Sequence, residues 1–336
     1  MHALPACSVH RPRSVAQACE LLATSATARL IAGGTDLLPN LRRGLGHPAT
    51  LVDLSAVQEM VGMHPAADGG LSLGAGTTLA QIASDPAIAL TWPVLAEAAH
   101  AAAGPGHRSA ATLGGNLCQD TRCIFYNQSA WWRAANGYCL KRDGDTCHVA
   151  PQGKRCHAAF SGDLAPALLV LQAQVEVTSV RGTRCVPLAD LYRDDGAAHL
   201  TLAPDEVLTR VLLATPQPGM RSAYRKARVR AAMDFPLAGV AVALRCTEGV
   251  LDGLAVAISG VASRPVCVSG LVHLTGRPVD AAALVAIGKA VQQQVSPMRS
   301  TLTDANYRRQ VARTLVQRMV NTLAHGESVD AHMASR

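Results

Sequence analysis

The sequence predicts an α+β fold: two α/β lobes, then a smaller C-terminal α/β domain made of a sheet and helices. Three observations predict it. In the first half, short strand-like runs end in glycine turns at 29–39, 71–78 and 107–117. A Pro/Gly linker, Thr215-Pro-Gln-Pro-Gly219, then breaks the pattern near residue 218. Beyond it, strand-like runs near 237–246 and 251–260 precede helical patterns near 279–295 and 303–324. The expected boundaries are 1–217 for the first region, with lobes at about 1–56 and 57–217, then 218–326 for the second and 327–336 for a frayed tail.

Each element follows from its residues. Residues 13–24 read as a helix, with Ser14 as N-cap and Val15, Ala18, Leu21 and Leu22 on the apolar side. The run from Arg29 is a strand entering Ala32-Gly33-Gly34-Thr35, and 50–54 is a second strand. Residues 71–77 form a strand that ends in Gly74-Ala75-Gly76-Thr77 and opens a helix from Thr78. An Ala-rich helix spans 93–103, and a third glycine turn carries Gly114-Gly115-Asn116. The stretch 118–160 differs in composition. With Phe125, Tyr126, Trp131, Trp132, Tyr138 and Phe160 it holds about half of the aromatic residues, and it reads as an inserted loop with its own small core. The apolar pattern resumes at 161–168, and strands follow at 174–179 and 206–213.

Composition excludes several classes. With 336 residues, 49% of them hydrophobic and 16% charged, the chain is long and apolar enough for two or three packed domains and is not a disordered chain. No apolar run reaches membrane-spanning length; the longest, such as 237–244, reads as a buried strand. The N-terminal MHALPACSVHRPRS lacks a signal-peptide apolar stretch, so the expected location is the cytoplasm. In that reducing compartment the ten cysteines argue against a disulfide framework, and the isolated Cys7, Cys19, Cys185, Cys246 and Cys267 read as buried small hydrophobes. The net charge of +7 is spread without a basic run or a reading helix. An acidic partner or a phosphate-rich ligand explains it as well as a nucleic acid would, and no nucleic acid is expected as a partner.

Glycine lets backbone N–H groups converge on a pyrophosphate with no side chain in the way, and Thr35, Thr77 and Asn116 can add hydrogen bonds. None of the three turns matches the dinucleotide fingerprint, and any one alone reads equally as an ordinary tight turn. The segments Ala32-Gly-Gly-Thr-Asp36, Ala111-Thr-Leu-Gly-Gly-Asn116 and Ser161-Gly-Asp-Leu-Ala-Pro-Ala-Leu168 resemble the flavin-binding motifs of the FAD subunit of molybdenum hydroxylases, the xanthine dehydrogenase and carbon monoxide dehydrogenase group. Tyr224-Arg-Lys-Ala-Arg-Val-Arg230 and Asn306-Tyr-Arg-Arg309 resemble that subunit's C-terminal domain, so the resemblance covers nearly the whole chain. It implies the two-lobed FAD-binding fold of that group. It places FAD on Ala32, Gly33, Gly34, Thr35, Asp36 and Leu37, on Gly76 and Thr77, and on Thr112, Gly114, Gly115 and Asn116, with Asp163 near the adenosine end and Lys226 also in contact.

The segment after Gly-Gly-Asn is short in most of that group. Here it is long and carries Cys123, Cys139, Cys147 and Cys156, spaced C-x15-C-x7-C-x8-C. Four thiolates suit a cubane cluster or structural zinc. Zinc sites usually show paired knuckles, which are absent here, but His148 and His157 keep a mixed Cys/His zinc site open, and a loop with incidental cysteines is the third reading. Cys118-Gln-Asp-Thr-Arg-Cys123, Trp132, Asp143-Gly-Asp145, Cys147-His-Val149 and Lys154-Arg-Cys156 resemble the β-subunit family of 4-hydroxybenzoyl-CoA reductase. That resemblance implies a [4Fe–4S] cluster on Cys123, Cys139, Cys147 and Cys156, with Cys118 left in the flavin-side turn.

The implied function is electron transfer, with no catalytic residue on this chain. Electrons would come from ferredoxin and pass through the cluster and FAD. They would leave to a [2Fe–2S] subunit and a molybdenum-cofactor subunit, the whole a hetero-oligomer built as a dimer of heterotrimers. The molybdenum subunit would convert 4-hydroxybenzoyl-CoA to benzoyl-CoA. Two rivals stand beside this reading: a dehydrogenase of the same group delivering electrons to NAD or a quinone, and a zinc-stapled scaffold without flavin. The excess of Arg122, Arg133, Lys141, Arg142, Lys154 and Arg155 over Asp120, Asp143 and Asp145 reads by default as a solvated loop surface and, more sharply, as a docking surface for an acidic ferredoxin.

Overall fold

The computed structural model describes residues 3–66, 68–231, 233–299 and 303–326; the predicted tail 327–336 lies outside them. Three sheets organise these residues.

The first is parallel, with strands β1 (Ser8–His10), β2 (Ala28–Ile31) and β3 (Thr50–Asp53) in the order β1-β3-β2. The helix Val15–Ala23 links β1 to β2. Its N-cap is Ser14, whose side chain accepts from the Gln17 N–H, and it buries Ala18, Cys19 and Leu22. The second sheet is antiparallel and contains β4 (Met63–Pro65), β5 (Leu71–Gly74), β6 (Gln174–Ser179), β7 (Gly182–Pro187) and β8 (Val207–Leu213), ordered β4-β5-β8-β6-β7. Helix Leu79–Ser84 starts in a full capping box between Thr78 and Gln81. One core joins both lobes: Ala18, Cys19 and Val52 pack in the same cluster as Leu73, Ile82, Leu95 and Val211.

The third sheet is antiparallel and C-terminal, with β9 (Arg221–Ala227), β10 (Ala238–Thr247), β11 (Val250–Ser259) and β12 (Val266–Cys267) in the order β12-β11-β10-β9. Its apolar run from Ala238 to Leu244 does not alternate with polar residues, because both faces are covered. Val240, Val242 and Leu244 pack under the helices Ala281–Gln294 and Ala305–Ala324, against Ile287, Val291, Val316 and Val320. Ala241, Ala243 and Ala257 face the other way, onto Val94, Ala98, Ala167 and Val170 of the helices Pro93–Ala101 and Leu164–Val170. Small side chains on that face let the first region's helices approach closely.

Three sequence expectations need correction. Gly114-Gly115-Asn116 is not a turn but part of the short helix Leu113–Leu117, because Thr112 caps it by accepting from the Gly115 N–H. Among the isolated cysteines only Cys19 is buried; Cys185 and Cys267 are exposed, because each sits on an edge strand of its sheet. Phe160 belongs to the main core, against Tyr192, and not to a separate core of the insertion.

Candidate cofactor site

Strand β2 ends at Ile31, and helix Leu37–Arg42 begins six residues later. The loop between them holds Ala32, Gly33, Gly34, Thr35 and Asp36, with Leu37 as the helix's first residue. Gly34 has φ +68°, the left-handed region that glycine adopts without strain. Gly33 approaches the second lobe so closely that a Cβ there would stand 1.8 Å from the Ala110 carbonyl oxygen. The N–H groups of Gly33, Gly34 and Thr35 have no hydrogen-bond partner among the described residues. These three residues line a cleft of about 620 Å³, together with Arg42, Arg43, His107, Asn127, Gln128 and Ser129. Free backbone donors, two arginines and a histidine around a cleft form a setting for an anionic group.

The other two glycine segments are engaged internally. The Gly76 N–H bonds to Met60 O at 2.7 Å, and the Thr77 hydroxyl is buried and exchanges bonds with the Gly62 N–H and C=O, both at 3.0 Å. Gly114 donates to Ala75 O at 2.8 Å, where a Cβ would press 2.9 Å from the Ala75 Cβ. Asn116 turns its Oδ1 to the Leu164 N–H at 3.1 Å. These glycines therefore serve close packing between segments of the second lobe.

Asp163 and Lys226 meet each other. Lys226 Nζ lies 3.1 Å from Asp163 Oδ2, and the Tyr224 hydroxyl donates to Asp163 Oδ1 at 2.6 Å. Burial pushes the Asp163 carboxyl above the usual carboxylate range, and Lys226 pulls it back. This trio bridges the helix Leu164–Val170 to β9 and so joins the first region to the C-terminal sheet. Asp36 is likewise engaged: it pairs with Arg122 and accepts the Asp120 N–H at 3.0 Å.

The insertion gathers its cysteines. Cys123, Cys147 and Cys156 are buried, and none of the ten cysteines forms a disulfide. Cys123 and Cys156 pack with Tyr126, Ala158 and Leu45 of the first lobe, and Cys139 and Val149 close the same cluster. Burial raises Cys123, and raises Cys156 to about 11, with the Ala158 N–H and Lys141 opposing the rise at Cys156. Repulsion from the thiolate charges of Cys147 and Cys139 adds to the rise of Cys123, and from those of Cys147 and Cys123 to the rise of Cys156, which sets Cys147 near this cluster. No group of three or more His, Cys, Asp or Glu side chains stands at single-ion distances among the described residues. A cubane places each thiolate on a separate iron, so its four sulfurs stand further apart than ligands around one ion. His148 directs Nε2 to the Tyr138 carbonyl, and its ring lies 5.5 Å from that of Phe125 at a tilt of 32°. Cys118 packs on the main core instead, and burial pushes its thiol up to about 12.

The predicted basic docking surface does not form as expected, because most of its charges have internal partners. Lys141 is buried, bonding Asp120 at 2.7 Å and Gly196 O at 2.6 Å. Arg122 and Arg133 are buried, Arg142 pairs with Asp143 at 3.2 Å and Arg155 with Asp194 at 2.7 Å; Lys154 alone among the six is exposed. Arg133 ties the insertion to the first lobe through the carbonyls of Arg43 and Gly44. Sequence reasoning counted Arg122 and Arg133 as surface charges and missed Tyr224, His107 and Asn127 as site residues. Only Arg122 left a signal, its place directly before Cys123.

Comparison with known proteins adds the following. A profile described as "FAD binding domain in molybdopterin dehydrogenase" matches residues 5–216, and one described as "CO dehydrogenase flavoprotein C-terminal domain" matches 222–323. The chain is 30% identical over 317 residues to a xanthine dehydrogenase FAD-binding subunit of Escherichia coli O157:H7, covering 94% of each chain. It is 29% identical over 318 residues to the carbon monoxide dehydrogenase medium chain of Afipia carboxidovorans, covering 93% of this chain and 94% of that one. Among solved structures it resembles a chain of reconstituted CO dehydrogenase from Oligotropha carboxidovorans, with TM-score 0.80 and 25% identity over 96% of this chain and 99% of that one. No helix among the described residues is long and apolar enough to cross a membrane.

Proposed function

Since the chain belongs to the family of FAD-binding subunits of the molybdenum hydroxylases, we propose that it is an electron-transfer subunit that holds a [4Fe–4S] cluster beside its flavin, in a reductase of the 4-hydroxybenzoyl-CoA type. The observation that carries this is the gathering of Cys123, Cys139 and Cys156 in one small core of the insertion, with Cys147 buried in the same insertion. When bound, a cluster supplies one-electron transfer and a flavin exchanges electrons singly or in pairs.

The chain's own residues do the holding. Gly33, Gly34 and Thr35 offer backbone N–H groups to the pyrophosphate, with Arg42, Arg43 and His107 around the same cleft. Tyr126 and Phe125 keep water from the cysteine pocket, and Lys141 places a buried cation beside Cys156. The partners would be a molybdenum-cofactor subunit and a [2Fe–2S] subunit, and the donor ferredoxin. That donor rests on the likeness of the cysteine insertion and not on a basic docking surface, since most of those charges have partners within the chain.

Anaerobically purified protein should contain about four irons and four acid-labile sulfides per chain, as one such cluster requires. Cys139 is the least buried of the four, so Cys139→Ser should lose the iron with little damage to packing. Cys118→Ser should retain it, because Cys118 lies on the other core. Stoichiometric zinc without labile sulfide would sink the cluster. In the assembled complex, flavin reduction by NADH but not by reduced ferredoxin would favour the dehydrogenase rival.

A further inference from the structure

Arg122 occupies the junction of the two candidate sites. It directly precedes Cys123, and its backbone exchanges both hydrogen bonds with Ala159 at 2.7 Å, clasping the two ends of the insertion. Its guanidinium pairs with Asp36 and donates to Asn40 Oδ1 at 2.6 Å. Asp36 follows Thr35 in the glycine loop, and Asn40 lies on the helix that leaves that loop. Arg122 and Asn40 are both buried, and the Phe235 ring of the C-terminal domain covers the guanidinium at 5.6 Å. A planar fork held by two partners transmits a displacement that a flexible surface cation would absorb.

We propose that Arg122 is a positioning residue that couples occupancy of the cysteine pocket to flavin binding. This rests on the reading that the pocket holds an iron–sulfur cluster. A loaded pocket fixes Cys123 and therefore the Arg122 backbone. The fork then holds Asp36 and Asn40, and with them the shape of the loop carrying Gly33, Gly34 and Thr35. Emptying the pocket releases Cys123 and loosens that loop. Coupling of binding free energies is reciprocal, so bound flavin should in turn slow loss of the cluster.

The test is a double-mutant cycle on the full chain, stripped of flavin and titrated anaerobically with FAD. Cys139→Ser, which touches neither Asp36 nor Asn40, should weaken FAD binding about tenfold, within the usual range of site-to-site coupling. Arg122→Met should weaken it similarly while keeping iron and sulfide. The double variant should bind no worse than either single one, because the same link is cut twice. Arg122→Lys should recover only part of the affinity, since a single ammonium cannot serve both Asp36 and Asn40. Wild-type FAD affinity in Cys139→Ser, or losses that multiply in the double variant, would overturn the coupling. If Arg122→Met does not fold, Asp36→Asn cuts the link from the flavin side. Chelator removal of iron should then no longer be slowed by added FAD; undiminished protection would overturn the proposal. Iron absent from the wild type would instead sink the reading of the pocket itself, and the coupling with it.

Discussion

Lys226→Met should destabilise the folded protein by about 3–5 kcal/mol, as breaking a buried ion pair from one side does. Both partners are nearly inaccessible, with side-chain exposures of 4% for Lys226 and 7% for Asp163. The lysine's removal leaves a buried carboxylate with the Tyr224 hydroxyl bonded to it and the charge of Arg228 as its remaining electrostatic support. The pH dependence follows from the direction of the Asp163 shift, which is upward because burial outweighs Lys226. A carboxyl whose folded pKa exceeds its unfolded one favours folding below the unfolded pKa, and that contribution is lost as pH rises through the folded pKa. Without Lys226 the shift grows, so the penalty should be largest at neutral pH and shrink toward acid, where the carboxyl takes a proton. Urea unfolding of both proteins across that range checks this. Asp163→Asn combined with Lys226→Met should recover much of the loss, because it removes the stranded charge and keeps an acceptor for Tyr224. A pH-independent penalty would mean that the lysine's packing, not its charge, sets the effect.

The C-terminal domain was legible because its signals are local. The runs around 238–247 and 250–259 are bounded by turn residues, and Asp280 and Asp304 cap the two long helices through side-chain bonds to their first turns. Strands β1, β4 and β12 have three, three and two residues, too few for a period to register. β7 reads Gly-Thr-Arg-Cys-Val-Pro and is mostly exposed, so it buries no face that would impose alternation.

The site was legible in its glycines and cysteines but not in its charges. A buried ion pair between segments distant in sequence leaves no spacing rule. Lys141 pairs with Asp120 from 21 residues away, and Arg122 with Asp36 from 86. In the sequence both residues are indistinguishable from a solvated basic patch. The glycine pairs show the converse problem. Gly33-Gly34 and Gly114-Gly115 look alike along the chain, but Thr112 turns the second pair into a capped helix, and its N–H groups bond within the protein. Only the first pair lines the cleft with backbone N–H groups that have no partner among the described residues.

That difference separates two single-atom changes by a wide margin. Gly33→Ala should lose most of the bound flavin and lower the unfolding temperature, whereas Gly115→Ala should do neither. At Gly33 the new Cβ would meet the Ala110 carbonyl oxygen at 1.8 Å and its carbon at 2.5 Å. Both are backbone atoms of the second lobe, so no side-chain rotation relieves the contact. The lobes must part at the point where the loop enters the cleft, and the donors of Gly33, Gly34 and Thr35 move with it. At Gly115 the nearest atom is the Thr112 Oγ1 at 3.0 Å, and the position is exposed on a helix. Alanine there gains up to about 1 kcal/mol of helix propensity over glycine, enough to offset a small adjustment of the cap. Flavin-to-protein ratios after purification, FAD titration and thermal unfolding distinguish the two variants. Full flavin and unchanged stability in Gly33→Ala would show that the lobes need not approach so closely. Flavin loss confined to Gly115→Ala would move the phosphate contact from the Gly33 loop to the Leu113–Leu117 helix.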